Sequence, residues 1–256
     1  MEECLQIRVH GDASLPTLIY LPGLHGDWTL VTSFRFAVAG RVRFVEFTYP
    51  RTLTWSLEDY ADAIRAALLE HGISRGWLLG ESFGSQIVWP LVAKANPDFQ
   101  IEGIVLASGF VAHPLKWGVR LAERFCGDVS LTWLTRFLFI YAKYARFRHR
   151  HAPETLASIR EFVARRTELD KQAVKHRLHL IAASDPRPIV RNIRVPMHYL
   201  AGLFDPIVPW SFVRFWLTRN CPGYRGGKTI LSADHNVLGT APQTSARQIV
   251  RWMLNS

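Results

Sequence analysis

Along this chain, short continuous apolar runs alternate with stretches whose apolar residues recur every three or four positions. The runs fall at residues 5–9, Thr17–Leu21, Arg43–Thr48, 76–79, 103–107, 195–202 and 228–231, and each reads as a strand. A strand that is apolar at successive positions is buried on both faces, which predicts a mostly parallel sheet covered by helices on either side. The periodic stretches supply those helices. Ser56 is placed as an N-cap, with Glu58 and Asp59 in the first turn, and Tyr60, Ile64, Ala67 and Leu68 follow at helical spacing until His71-Gly72 ends the element. A second helix is expected from Ser85 to about Asn96, with Pro90 kinking or shortening it. The last helix ends near Leu254.

Between residues 112 and 187 the pattern changes to aromatic, arginine-rich helical stretches without a strong strand. This segment reads as a helical cap inserted into a core made of residues 1–111 and 188–256. Its Trp117, Leu121, Phe125, Trp133, Phe137, Leu138 and Tyr141 are expected mostly to pack the cap itself, with two or three facing a pocket.

The chemistry centres on Gly80-Glu81-Ser82-Phe83-Gly84, set between an apolar strand and a helical stretch. A Gly-x-Ser-x-Gly in a strand–turn–helix setting is a nucleophile elbow. The turn strains the serine backbone, and the glycines leave room for strand and helix to approach. Two further loops match. Asp205-Pro206-Ile207-Val208-Pro209 follows the strand at 195–202, and Ala233-Asp234-His235-Asn236 follows the strand at 228–231. With these in order, the chain resembles α/β-hydrolase fold enzymes over nearly its whole length. The resemblance implies a Ser–Asp–His triad of Ser82, Asp205 and His235. It also implies an oxyanion hole from two backbone N–H groups. One belongs to Phe83. For the other, Pro22-Gly23 stands where the family often has His-Gly and makes Leu24 the donor, while the His25-Gly26 frame would make it Asp27.

Each residue has a plainer role to set beside this one. Ser82 fits any tight turn, and Asp205 before Pro206 fits an ordinary Asp-Pro turn. Asp234 reads as a loop residue rather than the acid, His198 as a strand histidine satisfied in core or pocket, and Glu81 as structural. The resemblance implies hydrolysis of carboxylic esters or thioesters through an acyl-enzyme. C–C bond hydrolysis, acyl transfer or lyase chemistry with the same residues is the alternative, and a non-catalytic binding protein is a third reading. Relatives that act as dehalogenases or epoxide hydrolases use a carboxylate where this chain has Ser82.

Composition narrows the partners. The 256 residues, 48% hydrophobic and 20% charged, suit one α/β core with an insertion. Of the formal net charge of +10, most lies at 112–187, where fifteen Lys and Arg face seven Asp and Glu. That charge suits a small acyl substrate bearing negative charge, such as a thioester of a phosphorylated carrier. The basic, aromatic stretch at residues 143–151 reads as a solvated helix face and linker, with no nucleic-acid module beside it. His149 and His151, two apart, share no helix face, and Cys4, Cys126 and Cys221 suggest neither disulfide framework nor metal site. No metal or cofactor is expected. An acidic start without a long apolar run, and no stretch near the ~18 residues that cross a bilayer, lead to an expectation of cytoplasmic residence.

Overall fold

A computed structural model describes residues 4–94, 97–128 and 167–255. Seven strands form one sheet: β1 (Gln6–His10), β2 (Thr17–Leu21), β3 (Arg43–Thr48), β4 (Arg75–Glu81), β5 (Gln100–Ala107), β6 (Met197–Gly202) and β7 (Tyr224–Ile230). Their order is β1-β3-β2-β4-β5-β6-β7, with β1 antiparallel to β3 and every other pairing parallel.

The alternation along β2 shows why the strand runs are apolar throughout. Leu18 and Tyr20 enter one buried cluster, while Ile19 and Leu21 enter the cluster on the opposite face. The first cluster is closed by Phe34 and Val38 of α1 (Thr32–Val38) and by Ile249 and Val250 of the C-terminal helix (Pro242–Leu254). The opposite face is covered by α2 (Leu57–Glu70), α3 (Gly84–Ala93) and the helix Trp210–Asn220, through residues such as Ile64, Ile87 and Leu217.

α2 begins where its sequence places it. The Ser56 side chain accepts from the Asp59 N–H, and the Asp59 carboxylate accepts from the Ser56 N–H at 2.8 Å, a reciprocal cap. α3 ends at Ala93, short of the expected Asn96, with Pro90 inside it; proline lacks the N–H that would bond to the preceding turn. β7 starts four residues before its apolar run. Arg225, Gly226 and Gly227 carry no strand signal, yet Gly227 runs so close to β6 that a Cβ there would lie 2.5 Å from the Tyr199 carbonyl oxygen.

Between β5 and β6 the described residues hold α4 (Lys116–Asp128), α5 (Glu168–Ala183) and α6 (Arg187–Val190). α4 turns Val119 and Cys126 to the core and leaves Trp117, Leu121 and Phe125 exposed, so among the described residues these three do not pack the core, and Trp117 walls a groove instead. Trp133, Phe137, Leu138, Tyr141 and residues 143–151 lie outside the described residues. After β6 come α7 (Trp210–Asn220), α8 (Val237–Thr240) and α9 (Pro242–Leu254). Among the described residues no helix is long and apolar enough to cross a membrane.

Candidate active site

β4 delivers Ser82 at the carboxyl edge of the sheet, in a left-handed backbone conformation with φ +48°. For a residue with a Cβ this costs of order 1–3 kcal/mol, so the surroundings must hold it. They do. The Ser82 N–H donates to the Ala107 carbonyl at 3.1 Å, and the Ser82 carbonyl accepts the Ser85 N–H at 3.0 Å. The motif glycines are required by space: a Cβ on Gly80 would lie 2.9 Å from the Ser85 Cα, and one on Gly84 2.1 Å from the Leu21 carbonyl oxygen.

The two other loops converge on this turn. The Ser82 hydroxyl lies 3.0 Å from His235 Nε2, and His235 Nδ1 lies 3.0 and 2.9 Å from the two Asp205 carboxylate oxygens. Asp205 Oδ1 also accepts the N–H groups of Ile207 and Val208, each at 2.9 Å, which helps to hold the carboxylate in place. The carboxylate can only accept, so the Asp205 side carries the Nδ1–H and the Nε2 lone pair faces the serine hydroxyl. A hydroxyl, imidazole and carboxylate bonded in this order make serine a nucleophile.

Electrostatics follow from the same contacts. Burial pushes the Asp205 carboxyl up, but the hydrogen bond and charge of His235, with the Val208 and Ile207 N–H groups, leave it below the usual carboxylate range. Burial pushes the His235 imidazole down, but the Asp205 bond and charge, with added negative charge from Glu81 and Asp234, lift it above its ordinary value.

Asp234 caps its own loop, accepting the Asn236 N–H at 3.1 Å, as its reading as a loop residue anticipated. His198 is not brought to the site. It is stacked between Trp77 and Trp252, with centroids 6.2 and 4.6 Å away, and burial lowers it to about 4. Glu81 is buried, accepts the Tyr20 hydroxyl and is raised by burial, so this carboxyl lies close to the histidine without entering its hydrogen-bond chain.

The loop after β2 lies over the elbow. A Cβ on Gly23 would sit 3.5 Å from the Ser82 Cβ, and Gly23 to Gly26 form a turn closed by the Gly26 N–H to the Gly23 carbonyl at 3.0 Å. Leu24 lines a cavity of about 310 Å³ beside Ser82 and His235, whose apolar wall includes Leu30, Phe110, Val119, Leu178, Ile181 and Ile207. Asp27 lines a separate polar pocket with Arg51 and Asp170, and its carboxylate accepts the Thr29 N–H at 2.9 Å. A groove of about 550 Å³ adjoins the cavity at His113 and is walled by Trp117, Phe212, Phe215 and Trp216.

Sequence reading missed two site residues. His113 lines the cavity, packs edge-on against Phe110 at 4.8 Å and is lowered by burial. Arg177, on α5, reaches the Leu24 carbonyl at 3.0 Å. Neither stands in a motif; only the fold brings His113 to the Ser82 cavity and Arg177 to the loop that carries Leu24. Among the described residues no cluster of three His, Cys, Asp or Glu could hold a metal ion.

The alpha/beta hydrolase fold family model matches residues 42–242, and the chain belongs to that family. A curated relative, the 2-succinyl-6-hydroxy-2,4-cyclohexadiene-1-carboxylate synthase of Serratia proteamaculans (strain 568), is 24% identical over 156 residues, covering 52% of this chain. The match spans 59% of that relative's length. Among solved structures, the enol-lactonase from Burkholderia xenovorans LB400 superposes with a TM-score of 0.79 at 18% identity, covering 98% of this chain and 96% of its own. An esterase from Thermogutta terrifontis does so with a TM-score of 0.74 at 19% identity, covering 98% and 93%. These two likenesses are likenesses of fold.

Proposed function

We propose that this protein is a serine hydrolase that cleaves carboxylic esters or thioesters through an acyl-enzyme on Ser82. The observation that carries the reading is the unbroken hydrogen-bonded series from the Ser82 hydroxyl through His235 to Asp205. His235 Nε2 takes the hydroxyl proton as Ser82 Oγ bonds to the carbonyl carbon. Asp205 stays ionised and stabilises the imidazolium. The N–H groups of Leu24 and Phe83 receive the developing oxyanion. Support for Leu24 over Asp27 is that Leu24 borders the Ser82 cavity whereas Asp27 borders the polar pocket. Collapse of the tetrahedral adduct expels the alcohol or thiol with the proton from His235. Water, deprotonated by the same imidazole, then releases the acid and restores Ser82.

The largely apolar cavity suits a medium acyl group, and the basic segment at 112–187 suits substrates bearing negative charge. We read residues 112–187 as the cap over this cavity. The synthase relative favours a second reading in which the same three residues carry out elimination or C–C bond cleavage.

A fluorophosphonate probe tests the proposal. Wild-type protein is expected to label at Ser82 and to hydrolyse p-nitrophenyl esters. Ser82→Ala should lose the label and roughly 10⁴-fold or more in kcat. Unchanged turnover in that variant refutes the hydrolase reading. A panel of esters, thioesters and vinylogous diketones separates the two chemistries, and intact-protein mass shows whether an acyl group is carried.

A further inference from the structure

Arg177 is the largest charged side chain buried in the described structure, at 2% exposure, and among the described residues it forms no carboxylate ion pair. An arginine stripped of water needs its donors satisfied in other ways. Nη1 donates to the Leu24 carbonyl at 3.0 Å and Nη2 to the Pro50 carbonyl at 3.1 Å. Nε lies 3.5 Å from the Tyr60 hydroxyl, and the guanidinium sits 5.5 Å from the Tyr49 ring centroid. The planar fork therefore spans the loops after β2 and β3 from a helix that belongs to neither.

The chain makes room for this contact. A Cβ on Gly26 would lie 2.3 Å from Arg177 Nη1, so the turn at 23–26 passes against the guanidinium only because Gly26 has no side chain. The turn is then held at three places: by its own Gly26-to-Gly23 bond, by the Tyr49 N–H donating to the Gly26 carbonyl at 2.7 Å, and by Arg177 on the Leu24 carbonyl. The Gly26-to-Gly23 bond holds the Gly23–Leu24 peptide, which carries the Leu24 N–H, and the Arg177 bond holds the next peptide at the Leu24 carbonyl. α5 is in turn seated on the same edge. Asp170 in its first turn pairs with Arg51 at 2.8 Å, and His176 lies 2.8 Å from the Trp55 carbonyl.

We propose that Arg177 is a positioning residue for the oxyanion site. By gripping the Leu24 carbonyl from α5, it fixes the peptide that follows Leu24, limits rotation about the Leu24 Cα and so holds the preceding N–H toward the reacting carbonyl, which makes turnover at Ser82 depend on the seating of α5. This rests on the hydrolase reading and on Leu24 as a donor. Preorganised donors gain their effect from not having to move as charge develops, so a loosened donor lowers kcat more than it alters substrate binding.

The test compares wild type, Arg177→Lys and Arg177→Ala on p-nitrophenyl acetate, with thermal unfolding measured in parallel. Lysine keeps the charge but has one nitrogen in place of the planar fork that reaches the two carbonyls from separate nitrogens, and it secures the measurement if the alanine variant does not fold. Both variants are expected to lose at least ~10-fold in kcat with KM within about twofold of wild type. Millimolar guanidinium should restore part of the lost kcat in Arg177→Ala, whereas sodium chloride at equal ionic strength should not. Kcat retained within about twofold in folded variants overturns the inference. So does a loss that only follows the folded fraction and shows no rescue. Failure of the hydrolase reading looks different: wild type itself then shows no Ser82-dependent turnover.

Discussion

At His235 two opposed influences set proton affinity, and their balance has a readable consequence. Burial favours the neutral ring, while the Asp205 bond and the negative charges of Asp205, Glu81 and Asp234 favour the charged one and prevail. The imidazole must be neutral to take the Ser82 proton, so kcat/KM is expected to fall toward acid with a midpoint above about 6.5, the unperturbed histidine value. Because this value is raised on folding, the charged His235–Asp205 pair stabilises the fold fully below about pH 6.5 and loses that contribution as pH rises through the folded value. Activity thus appears over the interval in which this stabilisation fades. Asp205→Asn removes the main raising influence, so its residual activity should be lower by roughly 10³–10⁴-fold and its acid midpoint should shift down. A pH–rate profile whose midpoint is the same in both proteins contradicts the account. At this scale Ser82, Asp205 and His235 were legible in the chain because each follows an apolar strand run and sits in a local pattern. Arg177 and His113 were not. Arg177 meets Leu24 across 153 residues of sequence, and no local pattern records such a meeting.

Two elements with equally clear local signals differ in what a single change does to them. α2 starts with a reciprocal Ser56–Asp59 cap on an exposed surface, so Ser56→Ala is expected to cost about 1 kcal/mol and leave kcat unchanged. The start of α3 instead packs against the end of β2, where a Cβ on Gly84 meets the Leu21 carbonyl oxygen, which is backbone and cannot swing away. Gly84→Ala should therefore cost at least ~2 kcal/mol and also displace Ser82. Equilibrium denaturation with parallel esterase assays checks both, and a Gly84→Ala protein with wild-type stability and rate would contradict the packing. The same contrast explains which elements the hydrophobic pattern revealed. β2 and β3 matched their apolar runs because both faces are buried. The early half of β7 did not, because it pairs through two glycines, of which Gly227 approaches the Tyr199 carbonyl in a contact that is tertiary. α3 ends at Ala93, short of its expected end, and passes through Pro90, whose missing N–H removes only one bond to the preceding turn.

For the molecule as a whole, the distribution of charge along the chain bears on which substrates are favoured. Most of the net charge of +10 falls in residues 112–187 of the sequence, and the described part of that stretch supplies Val119, Leu178 and Ile181 to the wall beside Ser82. Individual cations near the adjoining groove are already engaged: Arg187 donates Nε and Nη2 to Asp185 at 2.7 and 2.6 Å, and Lys116 donates to the Ser184 carbonyl at 2.7 Å. Neither of these two cations waits for a substrate, so the steering to be tested is that of the summed field. Such a field reaches about 30 Å at 0.01 M salt but only about 3 Å at 1 M. For a thioester bearing negative charge, kcat/KM should then fall several-fold, roughly in step with rising ionic strength, through its encounter rate. A neutral ester of the same acyl group, which feels no such field, should show a flat profile and serves as the control for any effect of salt on the enzyme itself. Parallel slopes for the two substrates would assign the basic residues to solubility or to other contacts. A slope seen with the anionic substrate alone would make the field of this segment part of how the protein selects what reaches Ser82.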